Sequence, residues 1–314
     1  MIGLGTAAIG RLQYINIKSS ISSDDFNKET FSKNGKSVLT NAYNNGVRHF
    51  DTAPGYGMAE QILLEWIAEF QPKGINISTK WGYTYVADFN PTATVHEVKE
   101  HSLSKLNEQW EISKQFLPHL NIYQIHSATL DSGVLTNEAV LARLYELKKE
   151  YNIEIGLSTS GDNQNEIIEK ALTIKVNNEP LFDSFQVTYN VFDQNLLKLS
   201  DTLQTLGKKL IIKEALANGR VFPNKNFSNY NKTYEVLESL ALKYKVGVDA
   251  IALRFCEDTL KAFSVLSGAS VINQLVSNLD AYKFELSLSE IEELKALAIS
   301  PKAYWEERTA LGWN

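Results

Sequence analysis

Short runs rich in β-branched and aromatic residues alternate along this chain with longer stretches whose apolar residues recur at three- and four-residue spacing. The short runs fall at residues 2–6, 49–52, 75–81, 121–126, 154–159, 184–189, 209–215 and 263–266, which makes eight. Helix-like stretches lie between them, among them 60–70, 95–106, 139–149, 164–172 and 234–244. Apolar residues at helical spacing mark amphipathic helices, and strands alternating with helices predict right-handed βαβ units around a parallel sheet. Eight units favour closure, because a closed barrel has no exposed sheet edge. No linker, low-complexity tract or charge block interrupts the pattern. The expectation is an α/β fold, a (β/α)8 TIM barrel forming one domain over residues 1–314.

Composition narrows the function classes. Hydrophobic residues are 44% and charged residues 22% of the chain, as in a protein with a sizeable core. With 31 basic against 37 acidic residues the net charge is −6, which argues against a nucleic-acid backbone as partner. No apolar run reaches the roughly 20 residues that span a bilayer, and the opening MIGLGTAAIGRLQY lacks the pattern of a signal peptide. Cys256, the one cysteine, leaves no internal disulfide or multi-cysteine metal site and predicts a small buried hydrophobe. A reducing, cytoplasmic setting is expected, in which the Asn-x-Ser/Thr triplets at Asn76, Asn226 and Asn231 have no consequence.

Two apparent nucleotide motifs fail on inspection. Asn34-Gly35-Lys36-Ser37 resembles the end of a phosphate-binding loop, but Thr30 stands where that loop needs glycine. No Gly-x-Gly-x-x-Gly follows the first strand, and the histidines at 49, 96, 101, 119 and 126 have no metal-ligand spacing.

In a barrel of this kind the reacting groups come from the C-terminal ends of the strands. The second strand ends in His49-Phe50-Asp51-Thr52-Ala53-Pro54-Gly55-Tyr56-Gly57, the third in Ser78-Thr79-Lys80-Trp81 and the fourth in Tyr123-Gln124-Ile125-His126. Asp51, Tyr56, Lys80 and His126 therefore converge on one rim. Each alone has an ordinary reading: a turn aspartate, a packed loop tyrosine, a solvated lysine, a hydrogen-bonded core histidine. Their joint appearance at successive strand ends favours the functional one.

The run FDTAPGYGMAE resembles the signature of the aldo-keto reductase family, and STK and IH at the next two strand ends match that family's lysine and histidine. Weaker echoes are GLGTAAIG at the start, IGLS at 155–158, FQVTYN at 185–190, ALANG at 215–219 and SGAS followed by QL and Asn278 at 267–278. The resemblance implies Asp51, Tyr56, Lys80 and His126 as the catalytic set, with no metal. Reducing a carbonyl places negative charge on its oxygen, which then needs a proton. A free tyrosine, with a pKa of about 10, is a poor donor or acceptor at neutral pH. A neighbouring ammonium favours the phenolate, so Lys80 is expected to activate Tyr56, while Asp51 holds Lys80 charged and in place. His126 would donate to the carbonyl oxygen, and Tyr56 would be acid in reduction and base in oxidation.

The resemblance also implies a nicotinamide cofactor, NADP or NAD, held by Gly5, Thr6, Ser158, Thr159, Gln186, Lys213, Leu216, Gly268, Ala269, Ser270, Gln274 and Asn278. Ser158 and Gln186 would take the nicotinamide amide, the loop after the seventh strand the pyrophosphate, and 268–278 the adenosine end. The chain departs from the family pattern at several of these. Thr159 replaces an asparagine, Lys213 replaces the aromatic platform under the nicotinamide, and Gly268 and Gln274 replace basic residues that serve a 2′-phosphate. Losing both cations makes NAD at least as suitable as NADP. A further departure is that Met1 leads almost directly into the first strand, so the β-hairpin that plugs the barrel floor in many relatives is expected to be missing. Trp81 and Phe192 are the expected substrate-pocket aromatics; Tyr83, Tyr85 and the tail tryptophans Trp305 and Trp313 are near the same mouth in sequence. The expected partner is a small carbonyl or alcohol, with neither nucleic acid nor membrane. Three functions stay open: a carbonyl reductase, an NAD-linked sugar or polyol dehydrogenase, and a nucleotide-sensing regulatory subunit that keeps the barrel but turns over little.

Overall fold

The computed structural model describes residues 1–13, 27–90 and 93–312. Eight parallel strands close into a barrel: β1 (Ile2–Gly5), β2 (His49–Asp51), β3 (Asn76–Trp81), β4 (Leu120–Ile125), β5 (Glu154–Ser158), β6 (Ser184–Thr188), β7 (Lys209–Lys213) and β8 (Ser264–Ser267). Each strand pairs with its neighbours in sequence, and β8 returns to β1. Leu4 is thus in register with Phe50 of β2 on one side and Ser267 of β8 on the other. The match to the expected runs is within about two residues at each end; Thr6, Thr52, His126, Thr159 and Tyr189 fall just beyond their strands, in the rim loops.

One expected helix is corrected. Within 95–106 the chain forms the strand Glu97–Lys99, antiparallel to Tyr83–Tyr85, and the helix runs Leu103–Ser113. The reason is local: Ser102 caps the helix by accepting from the Lys105 amide at 3.1 Å, so the helix starts there, and Val95 and Val98 are left exposed on an extended hairpin. This hairpin stands over the mouth between β3 and β4.

Alternation along the strands divides the sheet into two faces. Ile2, Leu4, Phe50, Ile77, Ile125, Leu157, Phe185, Val187, Leu210, Ile212 and Val265 are fully or almost fully buried in the apolar layer under the helices. The lumen is filled differently. Asp51, Ser78, Lys80, Gln124 and Gln186 hydrogen-bond one another across it, and Gly3 and Gly156 make room where a Cβ would lie 2.4 Å from Ser264 Oγ and 2.2 Å from Ser184 Oγ. An irregularity aims this face: Ile77 pairs with Leu120 but Ser78 with Ile122, so Asn121 has no opposite number, and its side chain accepts from the Ile77 amide at 3.3 Å.

Among the described residues no strand precedes β1. The Met1 amine pairs with Glu257 at 2.6 Å, and at the floor Phe263 packs edge-on to His49 at 5.3 Å. At the other end the helix Pro301–Thr309 docks beside the mouth. Arg308 and the Tyr304 hydroxyl donate to the buried Glu214 carboxylate, and fully buried Arg220 pairs with Glu307 at 3.1 Å. Trp313 lies outside the described residues. No helix among the described residues is long and apolar enough to cross a membrane.

Candidate active site

Asp51 closes β2 and reaches into the lumen. Its Oδ2 accepts from Lys80 Nζ at 2.6 Å; its Oδ1 accepts from Ser78 Oγ at 2.6 Å and Gln186 Nε2 at 2.7 Å. Lys80 gives a second hydrogen bond to the Thr52 carbonyl at 3.0 Å. The ammonium is fully buried and the carboxylate nearly so, which requires this degree of mutual satisfaction, since an unpaired charge at such depth is strongly destabilising. The chain continues downward, where His49 Nε2 meets Ser78 Oγ at 2.9 Å; burial holds the His49 imidazole down at about 4, hence neutral.

Tyr56 follows on a one-turn 3-10 helix, Pro54–Tyr56, where Pro54 supplies a preset φ and Gly57 takes φ +63°. The Lys80 ammonium lies 4.7 Å from the Tyr56 ring centroid, and His126 stands perpendicular to that ring at 5.5 Å. The four expected catalytic residues thus share one site. No hydrogen bond between described residues joins Lys80 to the Tyr56 hydroxyl. The tyrosine is pushed well above its ordinary range, first by burial and next by the Asp51 charge, with Arg11 opposing. His126 is held well below its usual range by burial and then by Lys80 and Arg11, so it is a neutral imidazole with one N–H. Its Nδ1 is buried without a protein partner, and its ring rests 4.6 Å from Tyr83 of the hairpin.

The expected cofactor residues ring the same end of the barrel. Gly5 ends β1, with room at its Cβ position, and Thr6 donates to the Asp51 carbonyl at 3.0 Å. Ser158 Oγ accepts from the Ser127 amide, and Thr159 Oγ1 is turned to Gln164 at 3.4 Å. Gln186 serves Asp51, as above. Lys213 donates to Thr188 Oγ1 at 2.8 Å and sits 5.6 Å from the Trp305 ring centroid; burial lowers its ammonium. Leu216, half-buried, precedes a tight loop in which Ala217 and Asn218 both have left-handed φ. After β8, Gly268 is exposed with nothing within 4 Å of its Cβ position, the Ala269 amide donates to Ser267 Oγ, and the Ser270 amide donates to Gln274 Oε1 at 3.1 Å. The following helix, Ile272–Leu279, has no side-chain cap at Val271. Asn278 is buried and bonded to Ser267. Trp81 and Phe192 are fully buried: Trp81 packs edge-on to His101 at 5.5 Å, and Phe192 against Tyr230 at 4.4 Å. Tyr83 is the aromatic that lies directly on His126.

Sequence reasoning passed over Arg11, Glu97, Ser78 and Gln124. Arg11 Nη1 donates to the Gly55 carbonyl at 3.0 Å and pairs with Glu97 at 2.8 Å, with its guanidinium 5.4 Å from the Tyr56 ring centroid. The one sequence signal was an arginine directly after the opening glycine-rich turn. Among the described residues no group of three or more His, Cys, Asp or Glu side chains is arranged to hold a metal ion.

Comparison with known proteins agrees with this fold. The chain is 23% identical over 286 residues to the NADH-specific methylglyoxal reductase of Escherichia coli (strain K12), covering 83% of this chain and 86% of that protein. Among solved structures it superposes on an aldo-keto reductase of Bacillus halodurans in its holo form with a TM-score of 0.70 at 19% identity, covering 95% of this chain and 92% of that one. On a glycerol dehydrogenase of Gluconobacter oxydans the TM-score is 0.69 at 21% identity, with 94% and 90% covered. At such identities the structural likeness speaks for the fold. The aldo/keto reductase family model matches residues 1–299, and the chain therefore belongs to the aldo/keto reductase family.

Proposed function

We propose that this protein moves a hydride between a nicotinamide cofactor and the carbonyl or alcohol carbon of a small molecule, with Tyr56 giving the proton in reduction and taking it in oxidation. The observation that carries this reading is the buried Asp51–Lys80 pair set against the Tyr56 ring, with a neutral His126 edge-on to the same ring. Tyr56 holds the proton at its hydroxyl. His126 supplies an N–H to the substrate oxygen, where negative charge develops. Lys80, neutralised by Asp51, adds a positive end close to the phenol without leaving a net charge in the lumen. The bound cofactor would supply or accept the hydride.

The rim suits such a cofactor. An uncapped helix N-terminus at Val271 and the open space at Gly268 fit a phosphate-bearing end, with Ala269, Ser270, Gln274 and Asn278 around it. Gly5, Thr6, Ser158, Thr159, Gln186, Lys213 and Leu216 would hold the remainder. Neither Gly268 nor Gln274 carries charge, and Arg220 is committed to Glu307 and the Tyr304 carbonyl. We therefore read NADH as binding at least as well as NADPH; the Escherichia coli relative is named for NADH. The relatives' named substrates, methylglyoxal and glycerol, suit a small carbonyl or polyol here as well.

The test is a turnover panel of small aldehydes, ketones, polyols and sugars, run with both cofactors while reduced nicotinamide is followed optically. Turnover with at least one substrate is expected. Cofactor binding without turnover on any of them would favour a nucleotide-sensing regulatory subunit instead.

A further inference from the structure

We propose that Arg11 and Glu97 form a second charge pair that positions the Tyr56 turn and sets the field at its hydroxyl, Arg11 being the cation that favours proton release. The inference deepens the reading of Tyr56 as acid and base and rests on it.

The packing leaves Arg11 little choice of place. The helical turn Ala7–Gly10 lies flat on the Tyr56 loop: a Cβ on Gly10 would fall 2.2 Å from the Tyr56 carbonyl oxygen, and one on Gly57 would fall 2.4 Å from the Gly10 carbonyl oxygen. The Met58 amide donates to the Gly10 carbonyl at 2.8 Å, closing the contact. Arg11 leaves this turn in an extended conformation and reaches under the loop, where Nη1 bridges the Gly55 carbonyl and Glu97. Three segments far apart in sequence are joined here: the N-terminal turn, the Tyr56 loop and the hairpin strand Glu97–Lys99.

Among the described residues, the charges around Tyr56 fall into three sets. Asp51, paired with Lys80 at 2.6 Å, is still the largest charge felt by the tyrosine and raises it. Glu214, on the far side at the end of β7, is taken up by Arg308 at 3.0 Å, with Lys213 at 3.9 Å. His126 is neutral. Arg11 opposes the rise due to Asp51, and it and Glu97 are unequally dry: Arg11 is 4% exposed and Glu97 25%. A charge screened by less water acts more strongly on a buried neighbour, so the cation outweighs its partner at the phenol. The directions agree, since Arg11 lowers and Glu97 raises the tyrosine.

The pair can be broken from either end, with opposite results. Oxidation needs the tyrosine as base, so its rate rises with pH along a limb that follows Tyr56. Arg11→Met should move that limb up by about one pH unit, the scale set by an ion a few ångström away. Glu97→Gln should move it down, and Arg11→Lys should keep it near the wild-type position. Arg11 is buried, so each variant is first checked by thermal melting; should Arg11→Met fail to fold, Glu97→Gln and Arg11→Lys still decide. Labelled tyrosine Cζ, with the Tyr56 resonance assigned as the one lost in Tyr56→Phe, follows ionisation without turnover and should shift its onset in the same opposite directions. Opposite shifts support the pair. Unmoved limbs and onsets, or shifts of one sign in both variants, would overturn it while leaving the proposed reaction intact. A wild-type enzyme without turnover counts against the reaction, and the resonance then decides on the pair.

Discussion

Two carboxylates nine residues apart, Asp51 and Glu60, are both buried against β3, one on each side of it. Lys80 points into the lumen and meets Asp51 at 2.6 Å; Thr79, its neighbour, points outward and gives its hydroxyl to Glu60 at 2.6 Å. Inside the barrel the carboxylate has an ammonium, a serine and two glutamines around it. In the layer under the helices, burial raises Glu60 to about 7, and its hydroxyl partner pulls the other way without cancelling the rise. A buried carboxylate in the apolar layer is thus a protonatable group that serves packing, whereas the one in the lumen is part of a charge pair.

The most disruptive way to break this contrast is to remove the ammonium. Lys80→Met strands Asp51 as an unpaired buried charge, and a loss of about 3–5 kcal/mol is expected by chemical denaturation, together with turnover. Adding Asp51→Asn should recover much of the stability and none of the turnover. A double variant as unstable as the single would show that the pair is not what Lys80 contributes.

Glu60 sharpens the contrast from the other side. Its folded-state value of about 7 lies above the 4.5 of a free glutamate. A group raised on folding stabilises fully below pH 4.5, and that contribution is lost as pH climbs through 7, amounting to about 3 kcal/mol. Unfolding free energy should therefore fall between pH 4.5 and 7, and Glu60→Gln should flatten this component. An unchanged slope in the variant would mean that Glu60 is already ionised in the fold.

At the rim the expected effect is smaller. Gly268→Lys with Gln274→Arg should favour NADPH over NADH by roughly 1–3 kcal/mol, the range of charge-assisted hydrogen bonds, in titrations of cofactor fluorescence. No shift, or a wild-type protein already strongly selective for NADPH, would place the 2′-phosphate contact elsewhere.

How much of this was legible beforehand follows from the same geometry. The strands carry their pattern locally, so all eight were found and their ends missed by a residue or two. The helix expected at 95–106 failed because the valines at 95 and 98 suit an extended hairpin as well as a helix face, and only the Ser102 cap marks the true start. That Asp51, Tyr56, Lys80 and His126 come together could be read because each sits at or just beyond a strand end within a short motif. Arg11 and Glu97, 86 positions apart, meet only through the packing of Gly10 against the Tyr56 loop, and no local pattern announces such a contact. Glu60 stood in the quoted motif, yet its protonation depends on which side of β3 it packs, which the motif does not state.

The central claim is that Tyr56 carries the proton, and Tyr56→Phe tests it most directly, with cofactor affinity and steady-state turnover measured on the same preparation. The hydroxyl acts on the reacting oxygen and not on the nucleotide, so cofactor dissociation constants should stay within about twofold, while kcat falls by about 10²–10⁴, the range of general acid–base catalysis. A variant that binds cofactor normally and keeps more than about a tenth of kcat, well outside that range, would contradict the account.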